Sequence, residues 1–161
     1  MSRLDLFVNR ITAQRDILNL IAAHRLLPET GAILEVGLGN GRTYSHLVDN
    51  FAGRRIVVFD RAVASHGTST PPEADLILGE ISETGAAYAK GDAAMVHADI
   101  GTGYPEKDAK IQAWLPQLAV DLLMPDGIAV SGLRLDHPKL VPLDMPAGIG
   151  REIYFAYRKQ V

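Results

Sequence analysis

Three glycines at alternate positions, directly after an apolar run, constrain this chain more than any other feature of its sequence. The run is Ala32-Ile33-Leu34-Glu35-Val36, and the glycines are Gly37, Gly39 and Gly41. A helix-forming stretch over 42–51 leads to a second apolar run, Ile56-Val57-Val58-Phe59-Asp60. Strand, tight turn, helix and strand in that succession make a β-α-β unit, and such units build a sheet with helices packed on it.

The alternation continues along the chain. Leu4, Phe7, Val8, Ile11, Leu18, Ile21 and Ala22 recur at three- and four-residue steps, so 4–27 reads as an amphipathic leading helix that Pro28 closes. Its apolar stripe is read as core or subunit interface, with a substrate lid as the alternative. Further strands are expected over 75–78, 94–98 and 127–131, and helices over 82–90 and 106–123. Residues 62–74, rich in Ser, Thr, Gly and Pro, read as a loop. The tail changes character: 140–143 and 152–157 look like strands too closely spaced for a helical crossover, and so pair antiparallel. The expected fold is an α/β, doubly wound three-layer sandwich, with a mostly parallel sheet, a C-terminal antiparallel hairpin and an N-terminal amphipathic helix. No repeat or interdomain linker is visible. Residues 1–161 therefore read as a single domain, with 1–28 as leading helix and 32–161 as the sheet that carries the site.

Composition narrows the function classes. With 161 residues, 47% hydrophobic and 22% charged, the chain suits one globular core and leaves little for a separate substrate domain. A net charge of −3 creates no field that would draw it onto nucleic acid or an anionic membrane. There is no cysteine, which removes disulfides, thiolate metal sites and cysteine nucleophiles, and suits the cytoplasm. Charged residues interrupt the apolar N-terminal stretch, so no signal peptide or membrane span is readable.

In a doubly wound sheet, ligands sit beyond the carboxyl ends of the strands at the point where strand order reverses. The glycine loop lies at such an end. Bare backbone there can turn sharply and approach a ligand, and the following helix points free N–H groups at an anion. Spacing discriminates between ligands. A dinucleotide fingerprint wants glycine where Arg42 stands, and Glu35 sets a negative charge two residues before the first glycine, unwelcome to a pyrophosphate. An amino-acid ligand suits it better, because its ammonium can pair with an acid, directly or through water, while its carboxylate faces the helix end.

The string ILEVGLGNGRTYSHL followed by IVVFD resembles the first motif and the acidic second-strand end of class I S-adenosylmethionine-dependent methyltransferases. The resemblance implies a role for each matching position. Glu35, Gly37, Gly39, Asn40 and Gly41 would contact the methionine part of the cofactor, and Asp60, with Arg61 beside it, would hold the ribose hydroxyls. Gly79-Glu80-Ile81 is similar to the family's Gly-Asp-hydrophobic step beside adenine, which assigns Glu80 and Ile81. The strand order would be 3-2-1-4-5-7-6, with Met124-Pro125-Asp126-Gly127 as the turn before the fifth strand. After the fourth strand, Asp99-Ile100-Gly101-Thr102-Gly103-Tyr104, with Asp108 beyond, is similar to a pattern of some small-molecule O-methyltransferases that can hold magnesium. Its histidine is missing, and Ser131-Gly132-Leu133-Arg134 replaces the acids expected after strand five, so no metal is predicted. Asp99 stays as a cofactor or reaction-pocket residue.

Methyl transfer from a sulfonium needs mainly an aligned nucleophile, with a base only where a proton must leave. Candidate catalytic residues are Asp99 and Tyr104, with His66 and His97 as further possible bases. Each has a plainer reading. His97, inside an apolar run, reads as a hydrogen-bonded core histidine, and His66 as solvated. Tyr104 and Trp114 suit packing, Asp108 an exposed helix start, Asp60 a turn and Glu80 a helix N-terminus. The expectation is a cytoplasmic methyltransferase that takes S-adenosylmethionine and acts on a small molecule, without nucleic-acid or membrane partners. Copies could associate to finish a pocket this short chain leaves open. The alternatives are a nicotinamide-dependent oxidoreductase and a catalytically silent cofactor-binding subunit.

Overall fold

The structure is a computed structural model and describes residues 1–150 and 152–161. Its elements run α1 (Arg3–Ala23), β1 (Ile33–Val36), α2 (Arg42–Asn50), β2 (Ile56–Asp60), β3 (Leu76–Leu78), α3 (Ile81–Tyr88), β4 (Ala93–Ala98), α4 (Pro105–Gln112), α5 (Leu115–Leu122), β5 (Leu123–Ser131), β6 (Leu140–Pro142) and β7 (Phe155–Lys159). The strands form a seven-stranded sheet in the order β3-β2-β1-β4-β5-β7-β6. β1 to β5 are mutually parallel, and β7 pairs antiparallel with both β5 and β6. The order reverses between β1 and β4. That crevice is where this architecture places ligands.

Both faces of the sheet are covered. On one, Ile17, Leu18 and Ile21 of α1 and Leu47 of α2 pack on Ile33, Val58, Met95, Ile128 and Val130. On the other, Ile81 of α3 and Leu115, Leu118 and Leu122 of α5 pack on Leu34, Val57, Phe59 and Val96. Each of these side chains contributes on the order of 1.5–3 kcal/mol by leaving water. Register also matters for the site. Ile33 pairs with Met95 and Glu35 with His97, so the acid and the histidine stand side by side on the face that α1 covers.

Several boundaries differ from the sequence expectation, each for a local reason. α1 starts in a capping box between Ser2 and Asp5 and ends at His24, because Arg25 takes a left-handed φ of 51°. It stops short of residue 27. The expected helix over 106–123 is two helices: Pro116 lacks the N–H a continuous helix would need, and the chain breaks at Ala113 and Trp114. β5 starts at Leu123 rather than 127, with a register shift between Ala93 and Met95 that accommodates Asp126 at φ 64°. β7 begins at Phe155 because Tyr154 N–H donates back to the Gly150 carbonyl. Residues 62–74 hold only two short 3-10 turns, Gly67–Ser69 and Glu73–Asp75.

The leading helix overhangs the sheet. Ala13, Ile17, Leu18 and Ile21 are buried, whereas Leu4, Leu6, Phe7 and Val8 are exposed. Arg10 and Gln14 reach Asp99, just past the end of β4, so the turns before Arg10 extend beyond the carboxyl edge of the strands. At 1.5 Å per residue that overhang is about 10 Å. It forms one wall above the crevice.

Candidate functional site

The crevice is built first from backbone. Gly37, Gly39 and Gly41 take φ values of 94°, 52° and 83°, and the loop is tied to β2 by Gly37 N–H donating to the Phe59 carbonyl at 2.8 Å. A Cβ on Gly37 would strike Ile100, and one on Gly41 would strike Ser65 and Ser69. A Cβ on Gly39 would meet nothing within 4 Å, so this is where bare backbone faces open space. Gly41 supplies the N-cap of α2 without a side-chain cap, and Asn40 Oδ1 accepts from Arg42 N–H at 3.2 Å.

Asp60 anchors this loop. Its Oδ2 accepts from Leu38 N–H at 2.8 Å and Gly39 N–H at 3.1 Å, and its Oδ1 accepts from Arg61 N–H at 2.6 Å. A carboxylate offers about four acceptor sites, so capacity is left for a hydroxyl. Beside it Arg61 and Glu80 form an exposed ion pair at 3.0 Å, and Ile81 is the buried first residue of α3. The 62–74 segment folds against the same loop: His66 N–H points at the Asn40 carbonyl at 3.5 Å, while its ring bonds to Thr68.

Beneath the loop lies a buried chain of polar side chains. Glu35 is enclosed, and both its oxygens face His97 Nδ1, at 3.0 and 2.9 Å. Its carboxylate therefore points at the histidine and not into open space. His97 Nε2 is 2.7 Å from the Tyr154 hydroxyl. Gln14 Nε2 is the hub, donating to Tyr154 at 3.0 Å and to Asp99 Oδ2 and Thr43 Oγ1 at 3.2 Å, with His97 Nε2 also 3.2 Å away. Nε2 has only two hydrogens, so these partners share it. The chain surfaces at Asp99, whose Oδ1 accepts from Arg10 Nη1 at 2.8 Å.

The electrostatics follow from burial and neighbours. Burial lifts the Glu35 carboxyl above its ordinary range, against the pull of His97. Burial also opposes charge on His97, but the charge and hydrogen bond of Glu35, with Asp99 behind, outweigh it and hold His97 above its ordinary 6.5. The two groups titrate as a coupled pair. Tyr154 is driven well above the usual phenol value, by burial first and by Asp99 and Glu35 next, so it acts as a neutral hydrogen-bonding group.

A cavity of about 320 Å³ opens between α1 and α2, lined by Phe7, Arg10, Gln14, Asn40, Thr43 and Asp99 among others. The structure thus gathers Gly39, Asn40, Asp60 and Asp99 along one crevice. Tyr104 sits apart from it, an exposed residue at the start of α4 with Lys107 Nζ 4.9 Å above its ring. Asp108 is occupied in holding the Thr102 and Gly103 N–H groups at 2.7 and 3.2 Å. Trp114 packs on the core between sheet and α5. Among the described residues no three His, Asp or Glu side chains converge as a metal site. Arg10, Gln14 and Tyr154 are members of the site that motif reading missed. One signal was available: 7, 10, 14, 17 and 21 is a single helical stripe, and Arg10 and Gln14 interrupt it.

The arrangement fits S-adenosylmethionine. Open backbone at Gly39, a helix start whose N-cap Gly41 carries no side chain, a strand-end carboxylate with spare capacity and an adjoining cavity suit a molecule with an amino-acid end and a ribose. This sheet order and glycine loop define a class I methyltransferase. The chain belongs to the S-adenosyl-L-methionine methyltransferase family, whose sequence model matches residues 1–159. It is similar to an S-adenosyl-L-methionine methyl transferase from Silicibacter pomeroyi DSS-3, with 43% identity, 99% of each chain covered and a TM-score of 0.89. It shares its fold with the 1,6-didemethyltoxoflavin-N1-methyltransferase of Burkholderia thailandensis, whose structure holds 1,6-didemethyltoxoflavin and S-adenosylhomocysteine: 17% identity, 92% and 79% covered, TM-score 0.58. It also shares it with Streptomyces venezuelae DesVI, at 16% identity, 89% and 64% covered, TM-score 0.53. No curated protein matches the chain. The chain is accordingly an S-adenosylmethionine-dependent methyltransferase, and the nicotinamide alternative is left without support.

Proposed function

We propose that this methyltransferase acts as a single domain, 1–161, on a small-molecule acceptor in the cytoplasm. The observation that carries the reading is the limited size, about 320 Å³, of the cavity beside Asp99 and under the overhanging half of α1, which the acceptor shares with the end of the cofactor. A volume of that order takes a small molecule. The 1,6-didemethyltoxoflavin enzyme, which shares the fold, has a small acceptor of this kind.

The bound sulfonium supplies an activated methyl group, and the residues supply position. Gly37, Gly39, Asn40 and Gly41 receive the methionine end against bare backbone. Asp60, steadied by Arg61, accepts from a ribose hydroxyl, and Glu80 and Ile81 flank the adenine. Glu35 acts from below, keeping His97 and Tyr154 in place so that the loop keeps its shape. Asp99 lines the reaction pocket and is the one titratable catalytic candidate that reaches the cavity. A second copy completes the cavity where α1 leaves it open.

Incubation with methyl-labelled S-adenosylmethionine and a panel of small amines, phenols and carboxylates tests this. The expected result is label in a low-molecular-weight product. Label found only in a macromolecular fraction would contradict it.

A further inference from the structure

A separate cluster of charge lies at the amino edge of the parallel strands, across the sheet from the glycine loop. Lys90, between α3 and β4, Lys139, just before β6, and Lys159, the last residue of β7, line one open groove of about 650 Å³. They are three of the chain's five lysines, gathered from distant parts of a sequence whose net charge is −3. Asp121 is the one acid on this wall among the described residues, and it is engaged by Gln117 Nε2 at 2.8 Å.

One of the three lysines has a structural task. Lys159 Nζ donates to the Val120 and Leu123 carbonyls at 2.7 and 2.5 Å, at the end of α5, where a helix leaves carbonyls unpaired. An ammonium has three N–H donors, so one is left for the groove. Lys90 and Lys139 make no ion pair among the described residues, and Lys90 Nζ stands 5.6 Å from the Tyr88 ring centroid. Burial, and after it the charge of Lys139, press Lys159 below its ordinary 10.5. Grouping these cations thus costs repulsion that nothing in the fold repays. The wall is also braced: His137 Nδ1 accepts Lys139 N–H at 3.0 Å, which leaves Nε2 to donate to Gln117 Oε1 of α5 at 3.1 Å.

We propose that this groove binds a small phosphate-bearing anion between the ammonium groups of Lys90, Lys139 and Lys159. Lysine holds phosphate as a point charge, and three converging stems can meet its oxygens from several sides, whereas planar recognition of a carboxylate favours arginine. The bounded groove and the acidic balance of the whole chain suit a small ligand over a polyanion. Its occupant is neither the cofactor nor the methyl acceptor, whose crevice lies at the opposite strand ends.

Sodium pyrophosphate titrated into the isotopically labelled protein at fixed ionic strength, read by amide chemical shifts, tests this. Saturable shifts are expected at Lys90, Gly91 and 137–139. Lys90→Gln with Lys139→Gln should weaken binding by about tenfold, the scale of two partly exposed charge contacts. Lys107→Gln with Lys110→Gln, which removes two charges from α4, should change it by less than about twofold. Shifts that never saturate, shifts confined to 37–41, or equal weakening in both double variants overturn the proposal. Tighter lysine-dependent binding of a single-stranded oligonucleotide or of phosphatidylglycerol vesicles than of pyrophosphate also overturns it, because the groove would then serve a polymer or a membrane.

Discussion

The two faces of the sheet are built on different principles. Under α3 and α5 the interface is hydrocarbon, from Leu34 and Phe59 to Leu115 and Leu122. Under α1 and α2 the same kind of interface holds Gln14, Glu35 and His97, three of the four buried polar or charged side chains among the described residues. The fourth, Ser131, only accepts the Leu133 N–H in a turn. The polar group is concentrated at the carboxyl edge, below the glycine loop. An apolar face needs only volume to be filled, whereas a buried polar chain must have every donor and acceptor matched, which fixes a single geometry. The face with the matched chain is the one that supports the crevice.

The strongest way to break this comparison is Glu35→Ala. It leaves His97 without its counter-charge where no water enters, and a broken buried pair costs about 3–5 kcal/mol. Denaturant unfolding checks this, and a loss below about 1 kcal/mol would mean the polar chain is incidental. Asp60→Ala sharpens the comparison at the rim. It removes the acceptor of the Leu38 and Gly39 N–H groups, and S-adenosylhomocysteine should bind more weakly by about 1–3 kcal/mol with the fold kept. Unchanged affinity would reduce Asp60 to a turn residue.

The smallest effect is in pH. His97 is held above 6.5, so its contribution is complete below that value and is lost as pH rises through the folded-state value. Glu35, raised from 4.5 by burial, acts in the same sense above that value. Wild-type melting temperature should therefore fall between pH 6 and 9 by more than that of His97→Gln. A wild type that gains stability over this range would contradict the coupling.

The strands β1 to β4 were legible because each is a mostly apolar run that stops at glycine or acid, and the strand order followed from the family resemblance. The cofactor end of the crevice was legible for the same reason: Gly37 to Gly41 are contiguous, and Asp60 ends the very next strand. The rest was not. Arg10 and Gln14 meet Asp99 across 89 and 85 residues, and Tyr154 meets His97 and Gln14 across 57 and 140, which no local pattern encodes. His97 read as a hydrogen-bonded core histidine, but its partners Glu35 and Tyr154 emerge only once register sets β1 beside β4. The break at Trp114 was readable from Pro116, which helical periodicity alone overlooks.

The proposed mode of cofactor recognition puts bare backbone at Gly39 against the ligand, where the structure shows open space. Isothermal titration of S-adenosylhomocysteine into wild type and Gly39→Val tests it most directly. One saturable site is expected in the wild type. In the variant none is expected although it still melts cooperatively: the φ of 52° strains a valine there by about 1–3 kcal/mol, but its Cβ would touch no protein atom within 4 Å, and on the proposed reading it takes up space the ligand needs. Absence of heat with the folded wild type, or a Gly39→Val variant that binds as tightly, would contradict that mode of binding.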